Sequence, residues 1–400
     1  MKIAIAMSGG VDSSVAAKIL KDEGHELVGL FLKLWSDPLC SVAKDNRCCN
    51  YEALEDARKV AHGLDIPFYV INAVDEFKKE VVDYFIDEYK ELNTPNPCIV
   101  CNEKIKFDLL LKKALSIGCE KLATGHYARI NPCHSRPDRE STILDPRVKP
   151  EDDNIFYKLK AGIDGTKDQS YMLYRLNQNQ LSKTLFPLGE MIKKDVRELA
   201  VKWNLPVKEK PESQEICFFG DRDYRSFLKR YLDDKFFEPG KIVDKEGNAL
   251  GTHEGLINYT IGQRKGIEQE LRIKNQESSK KQPLYVIGFD IEKNQLVVGG
   301  DDDIYKKEMT VSDLNWILPQ TMDYGLPTKG LSVKIRYRHA AVPCLVSHPE
   351  RSEGSRDSSP LAQNDTIEVV FDEPQRAVTP GQSAVFYDGD EVIVGGIILK

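Results

Sequence analysis

Two kinds of reactive group stand out along the chain. The first is the run Ser8-Gly9-Gly10-Val11-Asp12-Ser13-Ser14, which follows the apolar stretch Lys2 to Met7 and leads into a helical pattern through Leu20. Glycines let a backbone turn sharply and approach an anion, serines cap a helix and donate hydrogen bonds, and the helix N-terminus attracts phosphate. Asp12 is out of place beside a phosphate unless it faces a Mg²⁺ ion or a ligand hydroxyl. The second kind is thiols. Cys98 and Cys101 form a CxxC after Thr94-Pro95-Asn96-Pro97 and before a helix, with Lys104 and Lys106 nearby, which places a thiol to act as a nucleophile. Cys217 stands in Ile216-Cys217-Phe218-Phe219 and on its own reads as a core cysteine. A CxxC also suits a thiol-disulfide oxidoreductase or half a zinc site, although no second pair at zinc-finger spacing follows.

These groups need elements to hold them. The first half alternates apolar runs with helical patterns, IAIAM, LVGLFLKLW and PFYVINA between helices near residues 15–21 and 51–62, which is the βαβ rhythm of a parallel sheet covered by helices. Helical periodicity returns over residues 75–92, 106–117 and 193–203. The fold class is therefore α/β: an N-terminal parallel-sheet, Rossmann-like domain over residues 1–207, a small mixed central domain over 208–280 with a hairpin around Gly247, and a C-terminal β-barrel over 281–400. Residues 132–154 and 347–365, rich in Pro, Arg, Ser and acids, read as solvated loops.

A length of 400 residues with 41% hydrophobic content supports several cores. The first residues have neither the cleavage pattern of a signal peptide nor the length of a membrane span, so a cytoplasmic enzyme with no membrane partner is expected. A net charge of −7 argues against a uniformly basic nucleic-acid surface, so any RNA must meet a local basic patch. Nine cysteines without an export signal do not make a disulfide scaffold. The adjacent Cys48 and Cys49 read as structural.

The glycine-serine run resembles the SGGxDS signature of the PP-loop ATP pyrophosphatases. With it, in order, come TPNPxxxCNxxIKF, TGHYAR, KDQSYxLY from Lys167 to Tyr174, SxxICF, IGQRKG, IRYR and FDEPxxAVTPGQSAVFY. Together they resemble the tRNA-specific 2-thiouridylases over nearly the whole chain. The resemblance implies ATP, with Mg²⁺, bound at Ala6, Met7, Ser8, Gly9, Gly10, Val11, Asp12, Ser13, Leu32 and Gly125. It implies a tRNA whose wobble uridine (lysine, glutamate and glutamine tRNAs) is adenylated at the 2-carbonyl. Sulfur then comes from a persulfide on Cys217, loaded by a cysteine desulfurase or a sulfur-relay protein. Cys101 either attacks that persulfide or resolves it as a disulfide; sulfur transfer needs one thiol to hold the outer sulfur and another to release it.

Contacts to tRNA are implied at Asn96, Pro97, Cys98, His126, Lys167, Asp168, Gln169, Arg336, Tyr337 and Gln382. Many relatives have Asp where this chain has Cys98, which leaves the assistance given to the catalytic thiol without its usual residue. Alternation over residues 331–344 sends Lys334, Arg336 and Arg338 to one strand face, and no acid occurs from Lys329 to Val346, so this is the expected basic patch. The rival readings are another adenylating enzyme of the same superfamily, which would not need Cys101 or Cys217, and the oxidoreductase, which would turn over without ATP.

Overall fold

A computed structural model describes residues 1–40, 51–134, 155–211, 216–219, 223–267, 283–318, 330–347 and 366–399. Cys48, Cys49 and most of the two expected loops lie outside these residues.

Among the described residues seven strands precede residue 186: β1 (Lys2–Ala6), β2 (Glu26–Lys33), β3 (Phe68–Asn72), β4 (Lys121–Ala123), β5 (Ala128–His134), β6 (Ile155–Ala161) and β7 (Thr184–Leu185). Five of them form a parallel sheet in the order β3-β2-β1-β4-β7. In β1, Ile3, Ala4 and Ile5 are all fully buried, the mark of a strand covered on both faces. Alternation divides them between two cores. Ile3 and Ile5 pack with α1 (Val11–Asp22), α2 (Tyr51–Gly63) and the helix Lys193–Lys202, whereas Ala4 packs with Phe107, Leu110 and Tyr171 on the opposite face. The pattern of α2 explains its docking, because Ala53, Ala57, Val60 and Ala61 fall on one stripe.

The central unit pairs β8 (Gly240–Val243) and β9 (Ala249–His253) with β10 (Tyr285–Asp290) and β11 (Gln295–Gly299) in the order β10-β11-β8-β9. The boundary expected at residue 281 would have put β10 and β11 in the barrel; instead β11 runs parallel to β8, and Ile242, Val286, Leu296 and Val298 share one small core. The barrel consists of β12 (Tyr305–Trp316), β13 (Ser332–Lys334), β14 (Val342–Ser347), β15 (Ile367–Arg376), β16 (Ser383–Asp388) and β17 (Glu391–Ile398). Their order is β12-β15-β14-β13-β16-β17, and β17 pairs back to β12 to close the ring. The β5–β6 hairpin extends this sheet from the start of β17, so the first domain contributes strands to the last. Pro132, Cys133 and His134, assigned from composition to a loop, belong to β5.

Period-two alternation also overreached after Lys334. The strand β13 stops there and the chain turns, with His339 N donating to Arg336 O at 3.1 Å. The charges expected to face solvent are partly turned inward. Lys334 Nζ lies 2.8 Å from Asp168 Oδ2 and 5.1 Å from the Tyr387 ring centre. Arg336 Nη2 donates to the carbonyls of Arg376 (2.6 Å) and Ala377. Burial, then the neighbouring Arg376, lower the pKa of Arg336.

The Asp168 side chain is 2% exposed and also accepts from Gly162 N and Ser170 N, so its charge is balanced chiefly by a lysine from another domain. Removing one partner of such a buried pair costs more than the pair itself contributes. Lys334→Ala is expected to lower stability by about 3 kcal/mol, read as a lower urea midpoint; an unchanged midpoint would show that the pair does not join the domains.

Candidate active site

In an open α/β sheet the site lies beyond the carboxyl ends of the strands, where the strand order reverses. Here the order reverses between β1 and β4, and the segments leaving those two strands meet. Met7 to Gly10 connect β1 to α1, with Gly9 at φ +70°, a left-handed conformation that an L side chain resists. A side chain at Gly9 would also run into the Ala53 carbonyl of α2. Ser13 Oγ receives Ser8 N at 3.3 Å and donates to Gly10 O at 3.2 Å, while Ser14 Oγ donates to Gly10 O at 2.8 Å, which locks the loop. No side chain caps α1 at Gly10. The first turn thus presents amide donors and the positive end of a helix dipole, the arrangement an anion recognises. Beyond β4, Gly125 lies against Asp12 and Ser13 with no room for a Cβ. Ala6 ends β1 and Met7 follows it, and half-buried Leu32 sits near the end of β2, the adjacent strand.

Asp12 is not unsupported. Lys193 Nζ lies 2.6 and 2.7 Å from its two carboxylate oxygens, and Tyr127 OH donates to Oδ1 at 2.8 Å. Lys193 itself is buried, with Nζ 5.7 Å from the Tyr127 ring centre. It opens the helix Lys193–Lys202, on whose buried stripe it sits with Val196 and Ala200. That spacing, i, i+3 and i+7, was available in the sequence: a lysine on an apolar stripe signals a buried charge with a partner. Tyr127 carried no such signal.

The first thiol segment begins earlier than its periodicity suggested. Asn96 caps a helix at Pro97, its Oδ1 accepting from Cys98 N at 3.2 Å, so the CxxC lies within the first turn rather than ahead of the helix. Proline is favoured there because its missing N–H would have no partner in any case. The helix continues through Cys101–Leu110 with π-type winding. Cys98 is exposed and Cys101 is buried. Asn102 and Asn96 hold this turn to Met172, through a bond to its carbonyl at 2.9 Å and a contact with its sulfur at 3.6 Å.

Cys217 is half-buried. Its neighbour Phe218 is fully buried, with ring centres 5.9, 5.5 and 5.4 Å from Phe77, Phe85 and Phe227. Cys217 and Cys101 belong to one cluster with Leu34 and Trp35, which follow β2. Both thiols, more than a hundred positions apart, thus border the apolar cluster that lies beyond the carboxyl end of β2, the strand beside β1. Among the described residues no group of His, Cys, Asp and Glu could hold a metal by itself.

His126 is enclosed by the rings of Phe107 and Phe186 at 5.7 and 5.8 Å, and its Nδ1 lies 2.6 Å from Thr124 Oγ1. Burial, reinforced by the Lys106 charge, holds its pKa well below the ordinary histidine value. Gln169 pairs with the neighbouring Tyr127 through N–H to O (2.8 Å) and N to Oε1 (3.0 Å), so it braces this turn. Lys167 is half-buried just before it. Tyr337 packs on Tyr171, centres 6.3 Å apart, and Gln382 reaches Thr94. Of the residues expected to contact tRNA, Asn96, His126, Asp168, Gln169, Arg336 and Gln382 thus make internal bonds.

A histidine kept neutral by folding gives a definite sign. The unfolded chain binds the proton near pH 6.5 and the folded chain does not, so stability falls as pH drops below about 6.5, by at most ~1.4 kcal/mol per pH unit. His126→Phe is expected to flatten that slope between pH 6.5 and 5 in urea midpoints; an equally steep slope would place the proton uptake elsewhere.

Comparison with known proteins matches the chain along its length. Residues 1–221 fit the family model described as tRNA methyl transferase HUP domain, residues 225–300 its PRC-barrel domain, and residues 306–398 an aminomethyltransferase beta-barrel domain. The tRNA-specific 2-thiouridylase MnmA of Clostridioides difficile is 44% identical over 399 residues, covering 100% of this chain and 98% of the relative. Those of Lachnoclostridium phytofermentans and Geotalea uraniireducens are 42% and 44% identical, covering 100% and 99% of this chain and 99% and 94% of theirs.

Proposed function

This chain belongs to the family of tRNA-specific 2-thiouridylases, and we propose on that footing that it replaces the 2-oxygen of a tRNA wobble uridine by sulfur at the expense of ATP. One observation carries the reading: Cys101 and Cys217 border one apolar cluster beyond the carboxyl end of β2, the strand beside β1, from which the Ser8–Ser14 loop leaves. The domain description speaks of methyl transfer, whereas the full-length relatives are named for thiolation. Two thiols from distant parts of the chain that border one apolar cluster favour the second.

The chemistry needs three displacements. The uridine 2-oxygen attacks the α-phosphorus of ATP and pyrophosphate leaves, which turns a poor leaving oxygen into part of AMP. The outer sulfur of a persulfide on Cys217 then bonds to carbon 2 as AMP departs. Cys101 attacks the Cys217 sulfur, forms a disulfide with it and frees the thiocarbonyl; an external thiol reductant restores both cysteines. The persulfide comes from a cysteine desulfurase or a sulfur-relay protein.

The loop amides and the α1 terminus bind the phosphates. Asp12 suits a Mg²⁺ ion held mainly by phosphate oxygens, and such an ion would offset phosphate charge. Lys193 is the cation already at that carboxylate, within reach of whatever the loop binds. His126, neutral and walled by rings, offers a flat apolar face for a base, and Tyr337 and Lys167 stand as further RNA contacts. No helix among the described residues is long and apolar enough to cross a membrane.

Reconstitution with wobble-uridine tRNA, ATP and a persulfide donor tests the reading. Cys217→Ser is expected to abolish thiolation while pyrophosphate is still released; full thiolation by this variant would end the proposal. Lys193→Met is expected to weaken ATP binding at least tenfold by calorimetry, leaving tRNA affinity unchanged, and an unaltered ATP affinity would remove Lys193 from the phosphate site.

A further inference from the structure

Asp37 follows the end of β2, and its side chain is wholly buried. A carboxylate in such a place is costly unless donors surround it. Leu39 N, on the same segment, supplies one at 2.9 Å. The others come from the central unit, 193 and 194 residues later. Arg230 Nε donates to Oδ2 at 2.9 Å, with Nη2 2.7 Å from the same oxygen, and Tyr231 OH donates to Oδ1. Both residues stand at the end of the helix Tyr224–Tyr231.

The rings beside this pair lead to a thiol. Trp35, just before Asp37, meets Phe227 and Tyr231 edge-on, with ring centres 6.3 and 6.0 Å apart. Phe227 and Tyr231 fall on one face of their helix, since residues at i and i+4 are neighbours there, and their own ring centres are 4.9 Å apart. Phe227 also meets Phe218 at 5.4 Å and Phe219 at 5.2 Å, the residues that follow Cys217. The helix is thus a seat for the Cys217 segment, and Asp37 is a point to which that seat is fastened.

Aromatic packing alone would hold the helix loosely in register, because apolar attraction has no direction. A carboxylate gripped by a guanidinium has one, and a helix that slipped would leave a buried charge without its partner. We infer that Asp37 is a positioning residue for Cys217: through Arg230 and Tyr231 it sets the register of the helix on which the Cys217 segment rests, and so the reach of that thiol. Displacing a reacting group by about 1 Å lowers turnover by up to ~10²-fold, because alignment supplies much of the rate. This role rests on Cys217 carrying the transferred sulfur, so its test includes a readout that does not depend on sulfur transfer.

Asp37→Asn removes the charge and keeps the shape. Tyr231→Phe removes one hydroxyl and keeps the ring, so it carries the test if the first variant does not fold. In each, single-turnover release of pyrophosphate and formation of 2-thiouridine are followed on persulfide-loaded enzyme with wobble-uridine tRNA and ATP. Iodoacetamide labelling of Cys217 in the unloaded enzyme is measured against that of Cys98 by fragment-ion mass spectrometry. Asp37→Asn is expected to slow thiouridine formation by about tenfold or more, and Tyr231→Phe to slow it by a smaller factor. Pyrophosphate release is expected to stay within twofold of the wild type, and the Cys217-to-Cys98 labelling ratio to rise several-fold. An unchanged labelling ratio, or an equal loss of both chemical steps, would overturn the inference and leave Asp37 a general anchor of the fold. A raised ratio with full thiouridine formation would overturn the role of Cys217 in sulfur transfer, and the inference with it.

Discussion

The architecture depends on a buried polar seam, residues 168–174, clamped between the parallel sheet and the barrel. Tyr171 and Tyr174 are fully buried, and each would cost free energy there if its hydroxyl had no partner. Both hydroxyls find one at Ser383, through its carbonyl at 2.8 Å and its Oγ at 3.1 Å. Asp168 finds Lys334, and Ser170 Oγ lies 3.1 Å from Tyr387 OH. Burial pushes the Tyr171, Tyr174 and Tyr387 hydroxyls above the usual tyrosine range, which keeps them neutral. A seam of this kind tolerates few alternative registers, because sliding by one residue would orphan several groups at once.

That seam explains why binding surface and support structure are hard to tell apart here. The KDQS segment and the TPGQ turn are polar, which suggests contact with a polar partner. In the fold the first bonds to Tyr127, Lys334 and Tyr387, and the second to Thr94 and Ile398. Polar composition is common to both roles, and only the identity of the partner distinguishes them. Open positions at the sheet edge, such as the first turn of α1, have a different character, since their donors point outward from a helix end.

Much of the site could be read from residue order. The glycine-serine run after an apolar strand announced the turn into α1, and the paired helical and strand periods announced the sheet, because both signals are local. Long-range pairing was not local. Nothing around Tyr285 or Gln295 says that their strands join β8 rather than the barrel, and nothing near Ala128 says that β5 and β6 extend a sheet completed by β17. Arg336 shows a further limit: alternation gave its face correctly only while the strand lasted, and the strand ended two residues before it. Lys193 was legible in principle, as a charge on an otherwise apolar helical stripe, but its partner Asp12 is 181 residues away.

The β5–β6 hairpin has a further consequence for how the chain is made. Lys158 of β6 bonds Glu391 of β17, 233 residues later. A ribosome extends a chain at roughly 5–20 residues per second, so this edge waits tens of seconds for its neighbour. During that interval a strand flank with unsatisfied amides stands beside an incomplete protein, the situation in which edges recruit wrong partners. Lys158 and Lys160 on β6, and Arg129 on β5, keep that flank charged until their acidic partners Glu391 and Asp390 are synthesised. The same ion pairs that fasten the finished sheet thus leave behind, in the nascent chain, a row of like charges that discourages premature pairing.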